Sequence, residues 1–145
     1  MERIGLYIAE IRDKEGNYRY LRSENFVTTQ CKDMYQWEQQ SLSIAIPSDP
    51  PFPTPMVLEE PFVSNNAAIS TGNFEAYKTV SEISDTETTD GRIRRYRTDD
   101  EFEGPMNVLG FILYSGSTPY SAVNMPFVLT DNELMYVYYS MLMRW

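Results

Sequence analysis

Four carboxylates fall within five residues, Asp99-Asp100-Glu101-Phe102-Glu103. Closely spaced carboxylate oxygens are the ligand chemistry of Ca²⁺. Arginines precede this run, so a solvated, ion-paired loop is the expected role and no metal is predicted. Asp13-Lys14-Glu15-Gly16-Asn17 has the look of a second calcium loop, but its glycine stands fourth rather than sixth. Cys31 is the single cysteine, so no disulfide can form within the chain. It is expected to be a small buried hydrophobe. The chain contains no histidine. That excludes a Ser-His-Asp triad, His-ligated zinc and a histidine pH switch, and it leaves Cys31 without its usual base. No pair of carboxylates is singled out for glycoside hydrolysis. The seven glycines are scattered and form no phosphate loop. Arg92, Arg94, Arg95 and Arg97 form the basic patch, with only Tyr96 interleaved, too little stacking surface for nucleic acid. Ion pairing with nearby acids is their expected role, and docking to an acidic neighbour is the alternative. No catalytic residue, cofactor or metal site is predicted, and the chain reads as a non-enzyme.

Composition supports that direction. The chain has 145 residues, 42% hydrophobic, enough for a single domain over 1–145 with one core. Its net charge of −9 argues against direct nucleic-acid binding. Eleven Tyr, seven Phe and two Trp suit strands and interfaces. No run of 18 apolar residues exists to span a membrane as a helix. Met1-Glu2-Arg3-Ile4-Gly5-Leu6 lacks the apolar stretch of a signal peptide. Assembly in a cytoplasm is the expectation.

The elements that must position these residues are short and alternating. Ile4, Leu6 and Ile8 share one face and Tyr7, Ala9 and Ile11 the other. The cluster 13–17 then turns the chain into a second strand from Tyr18 to Leu21. Phe26 to Thr29 reads as a short strand. Met34, Tyr35 and Trp37 decide nothing about 33–39. Ser41 to Ile46 alternates. Residues 47–61 hold six prolines, Pro47, Pro50, Pro51, Pro53, Pro55 and Pro61, and read as an extended crossover or an arm lying on a neighbour. Residues 64–78 read as a polar connector. Residues 85–97 read as a charged hairpin turning at Asp90-Gly91, with Glu87 opposite Arg94 and Asp85 opposite Tyr96. Neither face is apolar, so the hairpin is expected to project into solvent or onto a partner. Gly104-Pro105 marks a turn, Val108 to Tyr114 a buried strand, and 115–119 a loop.

The final segment, Leu134 to Trp145, is apolar on both faces. Thr130-x-x-Glu133 before it is also a helix capping pattern. The central Tyr136-Val137-Tyr138-Tyr139 favours a strand. At twice the usual strand length, it is expected to bend or to reach a neighbouring subunit.

These elements describe an all-β chain: one antiparallel β-sandwich or jelly-roll-like domain with a proline-rich extended segment and a projecting hairpin. Gly110-Phe111-Ile112-Leu113-Tyr114, then Pro126-Phe127-Val128-Leu129, the turn 130–133 and the closing Leu134-x-Tyr136-Val137-x-Tyr139 resemble the C-terminal part of small β-sandwich virion proteins of tailed bacteriophages. The resemblance implies a non-enzymatic structural or adaptor protein. Other virion proteins and copies of itself would be its partners, and the virion its location. A soluble carbohydrate- or protein-binding module is the alternative, with a hydrolase behind it. Candidate interface residues are Pro51, Phe52, Pro53, Arg92, Arg94, Tyr96, Tyr139, Met141, Met143 and Trp145.

Overall fold

The computed structural model describes residues 2–28, 41–51, 62–63, 74–116 and 118–144. Among them there are ten strands and no helix. These are β1 (Glu2–Asp13), β2 (Tyr18–Thr28), β3 (Leu42–Pro47), β4 (Phe62–Val63), β5 (Phe74–Glu87), β6 (Gly91–Thr98), β7 (Phe102–Glu103), β8 (Met106–Ser115), β9 (Thr118–Leu129) and β10 (Glu133–Arg144). The all-β expectation holds.

The hydrogen-bonded order is β1-β10-β6-β5-β3-β8-β9-β2, and β2 returns to β1. Eight strands thus close an antiparallel ring. The short strand β4 adds in parallel to β2, and β7 adds to β10. The ring consists of two sheets that share two long corner strands, where the chain bends from one sheet into the other. Tyr18 to Asn25 of β2 pair with β1, whereas Phe26 and Val27 pair with β9. Strand β5 pairs with β3 up to Thr79 and with β6 from Val80. The first sheet is β2-β1-β10-β6-β5 and the second is β5-β3-β8-β9-β2.

Side chains fill the interior, as an eight-stranded ring requires. Period-two alternation selects them. Tyr7, Ala9 and Ile11 of β1 and Met135, Val137, Tyr139, Met141 and Met143 of β10 all point inward. Leu42, Ile44, Phe111, Leu113, Val123 and Leu129 meet them from the second sheet. Tyr7 stacks 5.7 Å from Phe111 and meets Tyr139 edge-on at 4.8 Å. Its hydroxyl lies 2.6 Å from Ser121 Oγ on β9, so the polar tip is satisfied across the core.

The closing segment is a strand, and its length is used inside the domain. All twelve residues of β10 pair with β1, from Glu133 opposite Asp13 to Arg144 opposite Glu2. Tyr138 to Arg144 also pair with β6 on the other side. The expected reach into a neighbour is corrected accordingly: two flanking strands take up the whole strand. Glu133 does accept the Thr130 N–H (2.9 Å), as a capping pattern would have it. Here that bond closes a turn, with the Glu133 N–H donating to the Thr130 carbonyl at 3.1 Å.

The β5–β6 hairpin forms in a shifted register. The Thr88 N–H donates to the Gly91 carbonyl at 2.8 Å, which leaves Thr89 and Asp90 at the tip. Glu87 is opposite Arg92 and Asp85 is opposite Arg94. Positive φ among the described residues is confined to Gly16 and Gly116, so Gly91 is not a turn glycine. A β-carbon there would collide with the carbonyl oxygen of Met143, and the close passage of β10 is what calls for glycine. Nor does the hairpin project freely. Strand β6 lies between β5 and β10, with Arg94, Tyr96 and Thr98 buried on the core side.

Other boundaries also move. Phe74 to Lys78 begin β5 instead of belonging to a connector, and Thr118-Pro119 open β9. Pro47 ends β3 and Pro51 is buried. The rest of the proline-rich segment, residues 64–73, Cys31 and Trp37 lie outside the described residues.

Candidate binding face

The residues nominated from sequence divide into three groups. Tyr139, Met141 and Met143 are 3% exposed or less and line the domain's own core. As inward-facing side chains of a central strand they offer no surface to a partner, which corrects their nomination as interface residues. Tyr96 is buried beside them, opposite Tyr139 in the ladder. Arg92 and Arg94 face the same way at one end of the ring. Arg94 is 6% exposed and pairs with Glu82 at 3.0 Å and with Asp85 at 3.5 Å. Arg92 forms a two-pronged pair with Asp85. The hydrogen bond from Arg92 holds the Asp85 carboxyl below its usual range. These arginines are spent on internal pairing, and Tyr96 is sealed behind them. Pro51 is buried, while Phe52, Pro53 and Trp145 lie outside the described residues.

The acidic run is likewise committed. Glu101 accepts two bonds from Arg12, at 2.9 and 2.8 Å. Asp99 accepts the Thr79 hydroxyl at 2.7 Å, and hydrogen bonds from Ser81 and Thr79 lower its pKa. Phe102 is in the core. Among the described residues, no three Cys, Asp or Glu side chains gather where a metal ion could be held.

What remains open is the outer face of the first sheet, and it is built by register. Leu6 lies opposite Ser140 and Glu24. Ile8 lies opposite Tyr138 and Arg22. Leu142 lies opposite Ile93, and Ser140 opposite Arg95. These rows form a groove of about 530 Å³ with an aliphatic and tyrosine floor and Arg22, Glu24 and Arg95 at its sides. Leu6, Ile8, Tyr138 and Leu142 are half-buried, and Ile93 is 36% exposed. The face continues along the strands. The Arg97 guanidinium sits 4.5 Å above the Tyr136 ring, a cation–π contact. Tyr18 and Tyr20 are exposed with their rings nearly parallel, 6.3 Å apart. Partial desolvation against its neighbours and the nearby Glu10 carboxylate raise the Tyr20 pKa.

Two bidentate pairs brace this end of the ring, Arg12 on the outer face and Arg19 on the side of inward-facing Ile11. Arg12 holds Glu101, and Arg19 holds Glu133 with both distances 3.0 Å. The Arg19 bonds lower the Glu133 pKa. Sequence reasoning missed Leu6, Ile8, Arg22 and Ile93 as parts of one face; it placed Arg95 in the basic patch, with docking to an acidic neighbour as the alternative, but not among the interface candidates. The Leu6 and Ile8 row was visible, but both faces of β1 are apolar and the outer one is fixed only by pairing with β10.

No protein-family model, curated protein or solved structure matches the chain. Among the described residues, fold and face together define a closed all-β domain with an open apolar face on its first sheet.

Proposed function

We propose that the chain is a non-enzymatic structural or adaptor component of a bacteriophage virion. It assembles with other virion proteins and with copies of itself, and the outer face of β2-β1-β10-β6 is where it docks another virion protein. The carrying observation is that face: half-exposed aliphatics and tyrosines on a domain whose eight ring strands are all paired on both sides. A contiguous exposed apolar patch marks a docking site. Because the ring strands are paired on both sides, docking uses the face rather than a strand edge. The resemblance of residues 110–145 to tailed-phage β-sandwich proteins supports the virion setting. Commitment of Arg92, Arg94, Asp99 and Glu101 to internal bonds supports a scaffold over a catalyst.

The test is co-expression with the proteins encoded beside it, followed by light scattering. Complexes or oligomers of defined stoichiometry are expected. A monomer at high concentration that binds none of those proteins would refute the proposal. One observation favours a second reading, a carbohydrate-binding domain: the exposed, near-parallel Tyr18 and Tyr20 could stack on a sugar ring. Saturable binding on a glycan array, lost in Tyr20→Ala, would establish that alternative.

A further inference from the structure

We infer that the groove over Leu6, Ile8, Ile93 and Leu142 takes an acidic segment of a partner protein. An apolar side chain of that segment sits on the floor, and one carboxylate meets each of Arg22 and Arg95. The inference rests on the reading that this face docks a protein and adds the chemistry of what it docks.

Charge is the first argument. Arg12, Arg19, Arg92 and Arg94 each hold a carboxylate. Arg22 and Arg95 form no ion pair with any described residue. Arg97 shares the row of Ile8 and Arg22, so the two rows of this groove hold three arginines and one carboxylate, Glu24, with Glu10 one row beyond, on a chain of net charge −9. A region so unlike the rest of the molecule selects for negative charge. The same tally disfavours a second copy laid face to face, which would oppose arginine with arginine.

Spacing is the second argument. Arg22 is on β2 and Arg95 on β6, three strand steps apart and offset by two residues along the strands, or about 16 Å at the usual spacing. An extended segment covers about 13 Å in four residues, and the reach of the Arg and Glu side chains closes the rest. The matching segment is therefore acidic, any, apolar, any, acidic. The floor is the third argument. Branched aliphatics give no flat ring for a sugar to stack on, whereas they suit a Leu or Ile side chain.

The test is display selection from a randomised dodecapeptide library on the immobilised full chain. Enrichment of peptides with two acids flanking an apolar residue is expected. The best synthetic peptide should lose at least tenfold in affinity for Arg22→Gln/Arg95→Gln, and its Glu-to-Gln version should lose as much for the wild type. Ile93→Glu, at an exposed position, should also block binding with both arginines intact. Circular dichroism checks that each variant is folded. The inference is overturned by absence of enrichment, by enriched peptides without acids, or by equal binding to the double variant. It is equally overturned if the double variant changes only self-association, or only binding to phosphatidylglycerol vesicles. If virion partners bind while the double variant behaves as wild type, this site fails and the structural role stands. If acidic peptides bind but no virion protein does, the site stands and that role fails.

Discussion

The two sheets differ in how their outer faces are treated. On the second sheet, Ala45, Ile112 and Ala122 point away from the barrel interior and are still 1% exposed or less. Pro51 packs above Gly110 there, and Phe74 meets Tyr114 edge-on at 5.6 Å. The cover comes from the chain itself. It is imperfect at one point: among the described residues the buried Tyr114 hydroxyl has no hydrogen-bond partner, and burial raises its pKa. On the first sheet, comparable aliphatics at Leu6, Ile8, Ile93 and Leu142 remain half-open. The lesson is that an apolar outer face does not by itself mark an interface. It does so where the chain supplies no cover of its own.

The largest expected effect comes from removing what both sheets share. Truncation after Ser140 takes Met141 and Met143 out of the core and shortens the ladders to β1 and β6. Each buried side chain contributes about 1.5–3 kcal/mol, against a domain stability of about 5–15 kcal/mol. Thermal melting should show no cooperative transition. A truncated protein that melted like the full chain would mean β10 is dispensable and the inner face is not the core.

The contrast between outer faces is tested by Ile112→Ala and Ile93→Ala in urea titrations. Ile112 is fully buried, and its truncation should cost about 2–4 kcal/mol. Ile93, at 36% exposure, should cost less than about 1 kcal/mol. Equal losses would erase the distinction between a covered and an open face.

A finer version lies within one strand. Arg94→Ala should cost about 2 kcal/mol, since it removes a buried guanidinium and its pair with Glu82, while Asp85 keeps Arg92. Arg95→Ala, the next residue on the outer face, should stay within about 0.5 kcal/mol. Reversed values would show that the outward arginine carries structure.

The smallest effect is pH dependence. Asp85, Asp99 and Glu133 all have lowered pKa values in the fold. A folded pKa below the unfolded one means stability that is present above the unfolded value and lost as pH falls through the folded one. Without histidine, the midpoint of thermal unfolding should be level from about pH 5.5 to 7.5 and decline as the pH drops through and below about 4. A transition near pH 6.5 would require a titrating group outside this set.

Much of the fold was legible from alternation and turn residues. The β1–β2 hairpin formed at its expected turn, where Asp13 accepts the N–H groups of Glu15 and Asn17, both at 2.9 Å. The buried run 108–114 and the closing strand were also visible. The hairpin register was not, because Asp90-Gly91 is a strong local turn signal and the pressure that moved it is the Met143 carbonyl of a strand fifty residues on. The interface residues were largely misplaced for a related reason. Tyr139, Met141 and Met143 are the larger and more apolar half of β10, and size and apolarity suit a core as well as they suit a partner.

By itself, the sequence determined that this protein is built of strands, that it has no histidine chemistry, and that its charges outnumber any obvious ligand. These follow from side-chain type and from a period of two, which are local properties. Only the tertiary structure decided which half of each strand faces inward. It also decided which arginines are spent and which are free, and which apolar face is left uncovered. Those outcomes depend on which strand lies beside which, and pairs such as Gly5 with Met141, or Leu142 with Ile93, are set by closure of the whole ring.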